Sequence, residues 1–199
     1  MSQLKVIVKQ DEIDKRVVKL EELHLLGQYN NIGDYCNQLV KCVNSISHTL
    51  PIHSYKPGLL FETHKQKTSI KIEDRTFAAF LICNPVPGLK KEKPNGLIIE
   101  HDLSFIQMKE VLLHDVRTKE LYCFEYSYHY AIWDYEDNIE KYFFRYDKDI
   151  LLGNPPQKKL YHLHVIKKNP HFESPIINLN GVLEFILHNW DVKRQCLDC

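Results

Sequence analysis

Glu125, Ser127, His129, Arg145 and Asp147, with His162 and His164 further along, are residue types that acid–base chemistry on a phosphate ester requires. Imidazole titrates near neutral pH, so a histidine can take up or release a proton there, and an adjacent carboxylate fixes which ring nitrogen carries it. A guanidinium presents a planar fork that matches phosphate oxygens and steadies developing negative charge. Glu125 and His129 are therefore candidates for acid and base, Arg145 for the phosphate, and Asp147 for a supporting carboxylate. This set suits phosphodiester cleavage without a metal or other cofactor. A metal reading exists beside it, because His162 and His164 place two imidazoles on one strand face and Glu125 or Asp147 could complete a two-histidine, one-carboxylate set. That spacing recurs in strands by chance, so no metal is assigned and no bound ion is expected to be needed for folding.

Spacing decides whether these side chains can meet. Residues 121–133 alternate, with Tyr122, Phe124, Tyr126, Tyr128, Tyr130 and Ile132 at even positions and Cys123, Glu125, Ser127, His129 and Ala131 at odd ones. Residues 140–147 alternate likewise, Tyr142, Phe144 and Tyr146 against Lys141, Phe143, Arg145 and Asp147. A polar stretch at 134–138 joins the two runs, which together predict a β-hairpin with aromatic groups on one face and polar groups on the other. Folding about Glu136 sets Glu125 opposite Asp147, Ser127 opposite Arg145 and His129 opposite Phe143. An outward polar face is also what any half-buried antiparallel sheet presents, function or none.

Around this hairpin the chain predicts an α+β protein: an N-terminal helical hairpin, then a mainly antiparallel twisted sheet, then a C-terminal helix. The first helix opens at Asp11 with Ile13, Val17, Leu20 and Leu23 or Leu25 on its apolar stripe and ends at Gly27; the second spans 34–47 with Tyr35, Leu39, Cys42, Val43 and Ile46. Short strands are expected at 59–61, 69–72 and 77–83, a longer one at 103–114, and another at 159–166 that sets His162 and His164 on one face. The proline-rich stretch 84–96 is the candidate boundary between a partner-docking region, 1–95, and a β-rich domain, 96–199. Residues 178–189 carry Leu179, Val182, Leu183, Ile186 and Leu187 at helical spacing.

The chain has 199 residues, 44% hydrophobic and 26% charged, which is the balance of a folding sequence. Lysine plus arginine equals aspartate plus glutamate at 26 each, so no global field draws a polyanion, although residues 140–170 carry seven bases against three acids. The six cysteines follow no disulfide spacing and the start lacks a secretory apolar stretch, so a reducing, cytoplasmic setting with free thiols is expected. The pair Cys196 and Cys199 is half of a zinc set and incomplete by itself. No run approaches a membrane span. No glycine-rich phosphate loop, GxSxG or HExxH is present, which removes the common NTPase, esterase and metallopeptidase classes.

The strand Phe124-Glu125-Tyr126-Ser127-Tyr128-His129, the second strand Phe144-Arg145-Tyr146-Asp147, then His162-Leu163-His164 and the closing helix resemble the TumE-like family of bacterial toxin components. The likeness covers about residues 97–187. It departs where Lys148 follows the aspartate in place of the usual asparagine, in the lack of a histidine pair at 149–159, and over the first ninety residues, which have no counterpart in short members. The resemblance implies a toxin–antitoxin or defence setting, a proteinaceous partner, either an antitoxin or a defence-complex subunit, and an RNA target. With RNA as the target, Lys141, Lys158, Lys159, His162 and His164 become the candidate RNA contacts. Two rivals stand beside this reading: a protein-binding subunit without catalysis that docks through apolar faces around Val17 and Leu39, and a metal-dependent nuclease.

Overall fold

The computed structural model describes residues 6–54, 56, 58–85, 96–99, 104–134, 136–137, 139–151, 160–165 and 167–189. Its elements are α1 (Gln10–Arg16), β1 (His24–Gln28), α2 (Ile32–Ile46), β2 (Ile52–Ser54), β3 (Glu62–Lys65), β4 (Ile70–Ile72) and β5 (Arg75–Cys83). They continue with β6 (Leu97–Ile99), β7 (Ser104–Asp115), β8 (Glu120–Asp134), β9 (Ile139–Lys148), β10 (Tyr161–Val165), β11 (Lys167–Glu173) and α3 (Leu179–His188). The protein is mixed α+β, and its strands form one 11-stranded sheet in which every described pairing is antiparallel.

The long ribbon of β7 and β8 is the spine of this sheet, paired from Ser104↔Ile132 to His114↔Leu121. Its outer edges are shared. The first residues of β8 pair with β1 and its later ones with β9, while β7 takes β6 at one end and β5 at the other. The 103–114 strand expected from sequence is thus present as β7.

One sheet face lies under α2 and α3. Asn31 caps α2 by accepting the Asp34 N–H at 3.2 Å, and Tyr35, Leu39, Val43 and Ile46 recur at helical spacing on its buried side. Asn178 caps α3 in the same way, 3.0 Å from the Gly181 N–H, and Leu179, Val182, Leu183 and Ile186 bury the stripe expected there. These side chains join Tyr126, Tyr128, Tyr130, Phe144 and Tyr146 of the sheet in one core.

The N-terminal helical hairpin does not form. The first helix stops at Arg16, because Val17 turns into the left-handed region at φ 55° with its side chain 68% exposed. Residues 24–28 become strand β1, whose Gly27, at φ +137°, sits at an irregularity in its pairing with β8 rather than ending a helix. The helices also serve different cores: Ile13 of α1 packs with Ile70, Ile72, Phe77 and Phe124, whereas α2 packs against α3. Leu39, expected to face a partner, is 4% exposed and belongs to the core. Tertiary pairing along β8 outweighs the local helical pattern of 20–25.

The boundary near residue 95 does not divide the sheet either, since β5 pairs with β7 and β2 with β6 across it. A strand at 59–61 is displaced to Glu62–Lys65. No helix among the described residues is long and apolar enough to cross a membrane.

Candidate functional site

The hairpin of β8 and β9 pairs Ser127 with Asp147, His129 with Arg145 and Ala131 with Phe143. This register differs by two residues from the symmetrical fold about Glu136. An irregularity between Ile132 and Trp133 shortens one arm near the turn, and a two-residue shift preserves the faces. Across β7, Lys109 is the neighbour of Ser127 and Gln107 that of His129; across β9, His162 pairs with Asp147 and His164 with Arg145. Four adjacent strands therefore direct polar residues to the face opposite α2 and α3.

A bulge in β8 decides what this face contains. Val111 pairs with Glu125 and Leu112 with Cys123, which leaves Phe124 as the extra residue. Before it, Leu121 and Cys123 pack under the helices while Tyr122 and Phe124 pack with α1; after it, Tyr126, Tyr128 and Tyr130 pack under the helices. The even-numbered aromatics thus divide between the two faces. Phe124 and Glu125 fall on the same side, which brings the carboxylate to the polar face beside a second apolar core.

Two groups of contacts occupy the face. In one, His129 Nε2 lies 3.3 Å from Glu140 Oε2, and the imidazole is held between the rings of Phe143 and Phe105 at 5.5 and 6.0 Å. In the other, Arg145 Nε donates to Asp147 Oδ2 at 2.7 Å while its Nη2 lies 3.2 Å from His164 Nε2. The same Asp147 oxygen is 3.2 Å from His164 Nε2 and 3.6 Å from His162 Nε2.

No protein-family model matches the chain, and no curated protein or solved structure matches it. The likeness to the TumE-like family accordingly rests on the strand and histidine residues quoted for it.

A cavity of about 560 Å³ is lined by Gln107, Lys109, Ser127, His129, Glu140 and Arg145 among others, and a second of about 230 Å³ by Lys109, Glu125, Ser127, Arg145, Asp147 and Asp149 among others. Lys109, Ser127 and Arg145 line both, so the two form neighbouring parts of one trough. Burial pushes the Asp147 carboxyl upward, but hydrogen bonds with His162 and Ser127 and the Arg145 guanidinium outweigh it and hold the group down at about 2. Glu125 shifts the opposite way: burial first, then the charge of Asp149, raise it above the ordinary carboxylate range.

Glu125 and His129 do not act on one atom as acid and base. Four residues along a strand span about 13 Å, and Ser127, with its partner Asp147, lies between them. His162 and His164 are 0% and 3% exposed, so they back the trough and offer no RNA contact surface. Lys141 is exposed but holds Asp134 at 2.6 Å near the hairpin end. Lys158, Lys159, Cys196 and Cys199 lie outside the described residues.

Sequence reading missed Glu140 as the partner of His129 and missed Lys109 and Gln107. The alternation of 103–114 carried a signal for the latter two, since it faces them with Ser127 and His129 once β7 and β8 are paired. It also missed Lys148, 1% exposed, whose ammonium donates to the Cys123 carbonyl and whose pKa burial lowers to about 8.

Proposed function

We propose that the polar face cleaves phosphodiesters in RNA, with His129 as the base and Arg145 on the phosphate. The observation that carries the reading is the His129–Glu140 pair, 3.3 Å apart and lining a cavity that Arg145 also lines. The Glu140 carboxylate beside Nε2 steadies the positive ring that forms when His129 takes up a proton. RNA supplies its own nucleophile, so a base and an anion anchor suffice. The 2′-hydroxyl gives its proton to His129, its oxygen attacks phosphorus, and the P–O5′ bond breaks with the 5′ oxygen taking a proton from water. The product is a 2′,3′-cyclic phosphate. Arg145, the direct cross-strand neighbour of His129 and a lining residue of the same cavity, is the cation that would steady charge developing on the phosphoryl oxygens.

The toxin-like or defence-associated setting and the proteinaceous partner belong to the same proposal, supported by the residues that resemble the TumE-like family. Single-stranded oligoribonucleotides should be cut by the purified chain, and 2′-O-methylated or deoxy versions should not. His129→Ala, Arg145→Ala and Glu140→Gln should each slow cleavage, the first two by a factor on the order of a hundred or more. Folded variants that cut RNA as fast as the natural chain, or cleavage of the 2′-O-methylated strand, would remove this reading.

A further inference from the structure

We propose that Asp147, His162 and His164 form a binding site for a divalent first-row transition-metal ion. One ligand atom from each lies within 4.8 Å of the other two, and all three residues are buried. The two edges that meet at Asp147 are of the length an ion between the donors needs, and the third is no longer than 4.8 Å. Asp147 Oδ2 is 3.2 Å from one imidazole Nε2 and 3.6 Å from the other, and donors bound tetrahedrally at zinc distances stand about 3.3 Å apart. The two imidazoles meet edge to face at 4.9 Å, so both Nε2 atoms converge on the carboxylate instead of stacking past it.

The scaffold is rigid where a metal site needs it. His162 and His164 are alternate residues on β10, and Asp147 is the cross-strand partner of His162 on β9, so paired backbone fixes all three donors. Two imidazoles and one carboxylate favour zinc, manganese, iron, cobalt or nickel over magnesium or calcium, which prefer all-oxygen sites. Three protein donors leave a fourth position for solvent or substrate, the pattern of catalytic zinc and not of structural zinc.

Charge around the site points the same way. Glu125, Glu140, Asp147 and Asp149 line the trough, against Lys109, Arg145 and a Lys148 whose ammonium is committed to the Cys123 carbonyl. A trough so rich in carboxylates receives a phosphate better with a bound dication. Arg145 now touches both Asp147 and His164, a cation standing against the same donors. An ion would release it toward the trough, where the preceding reading uses it on phosphate. The ion's role in cleavage rests on that reading; its binding does not.

The test is a titration of the full chain, stripped with a chelator, by Co²⁺ followed by absorption and by Zn²⁺ followed by calorimetry, with no RNA present. One equivalent should bind, with the intense visible bands of four- or five-coordinate cobalt. Asp147→Asn, His162→Ala and His164→Ala should each weaken binding by a factor of ten to a hundred or more. His129→Ala and the double variant C196S/C199S should leave it intact. As a second probe that does not depend on the folding of ligand variants, Arg145→Ala should bind the ion several-fold more tightly, because a competing cation is gone. Absence of binding by the natural chain at millimolar metal would overturn the proposal. So would one equivalent retained by all three ligand variants, or lost in C196S/C199S. Cleavage of RNA is scored separately with and without chelator. Metal-free cleavage that depends on His129 would leave the preceding reading standing while the ion's role fails.

Discussion

The two faces of the sheet each bury a carboxylate and treat it in opposite ways. Under α2 and α3, Glu110 is 1% exposed and accepts hydrogen bonds from the Tyr35 and Tyr128 hydroxyls. On the polar face, Asp147 is 9% exposed and accepts from Arg145. Burial lifts Glu110 to about 7 despite its two phenol donors, whereas Asp147 falls to about 2. Glu110 is the more deeply buried of the two, and its partners are neutral where those of Asp147 include a cation, so depth and partners act together. Neutral hydroxyls soften the loss of water without repaying it, and a guanidinium with imidazole and hydroxyl donors repays it fully. One face therefore holds a carboxyl that is protonated at mildly acidic pH, and the other holds one that stays an anion there.

The largest expected effect is on Glu110. Its folded pKa lies above the ordinary glutamate value of 4.5, so the folded chain keeps a proton that the unfolded chain has lost. Its contribution to stability is full below about pH 4.5, falls as pH rises, and is gone above about pH 7. Glu110→Gln, which keeps the shape and removes the charge, should stabilise the protein at pH 8 by on the order of 3 kcal/mol and leave it near the natural chain at pH 4. Urea unfolding at the two pH values measures this, and equal stabilisation at both would show that charge is not the cause.

On the other face the sign reverses. Asp147 is depressed, so its contribution is present above about pH 4 and is lost as pH falls through about 2. Arg145→Ala should destabilise the protein by about 2 kcal/mol at neutral pH through loss of a charge-assisted bond, with the penalty shrinking toward pH 2. A variant as stable as the natural chain at pH 7 would mean that the imidazoles alone hold the anion. The smallest effect belongs to Tyr35→Phe, which removes one of two donors to Glu110 and should cost about 1 kcal/mol at pH 8 and less at pH 4. Chemical denaturation at both values separates it from a packing change, which would not vary with pH.

Much of the polar face was readable in the chain because alternation assigns side chains to faces without knowledge of register. The pairing of Ser127 with Asp147 departs by two residues from the symmetrical hairpin, yet Glu125, Ser127, His129, Arg145 and Asp147 still share a side. Odd shifts are what alternation cannot foresee, and Phe124 is one: a single bulged residue turns Tyr122 and Phe124 away from the tyrosines that follow. The helices α2 and α3 were legible from capping and spacing. β1 was not, since residues 24–28 are held in a strand by partners more than ninety residues away, which no local pattern encodes. Glu110 and Lys148 look in the sequence like ordinary solvent-facing charges on a strand. Only the packing of α2 over β7 and β8 makes the first a buried acid.

That distant pairing of β1 also orders events in time. β7 and β8 are joined by the short turn at 116–119, where Asp115 Oδ1 accepts from the Arg117 and Thr118 N–H groups, so their ribbon closes a small loop. β1 must close a loop of about half the chain to reach His24↔Cys123, at greater entropic cost. The ribbon is expected to assemble early and β1 to join late. By the same accounting, β1 should be among the first strands to exchange its amide protons, ahead of the sheet centre that carries the polar trough.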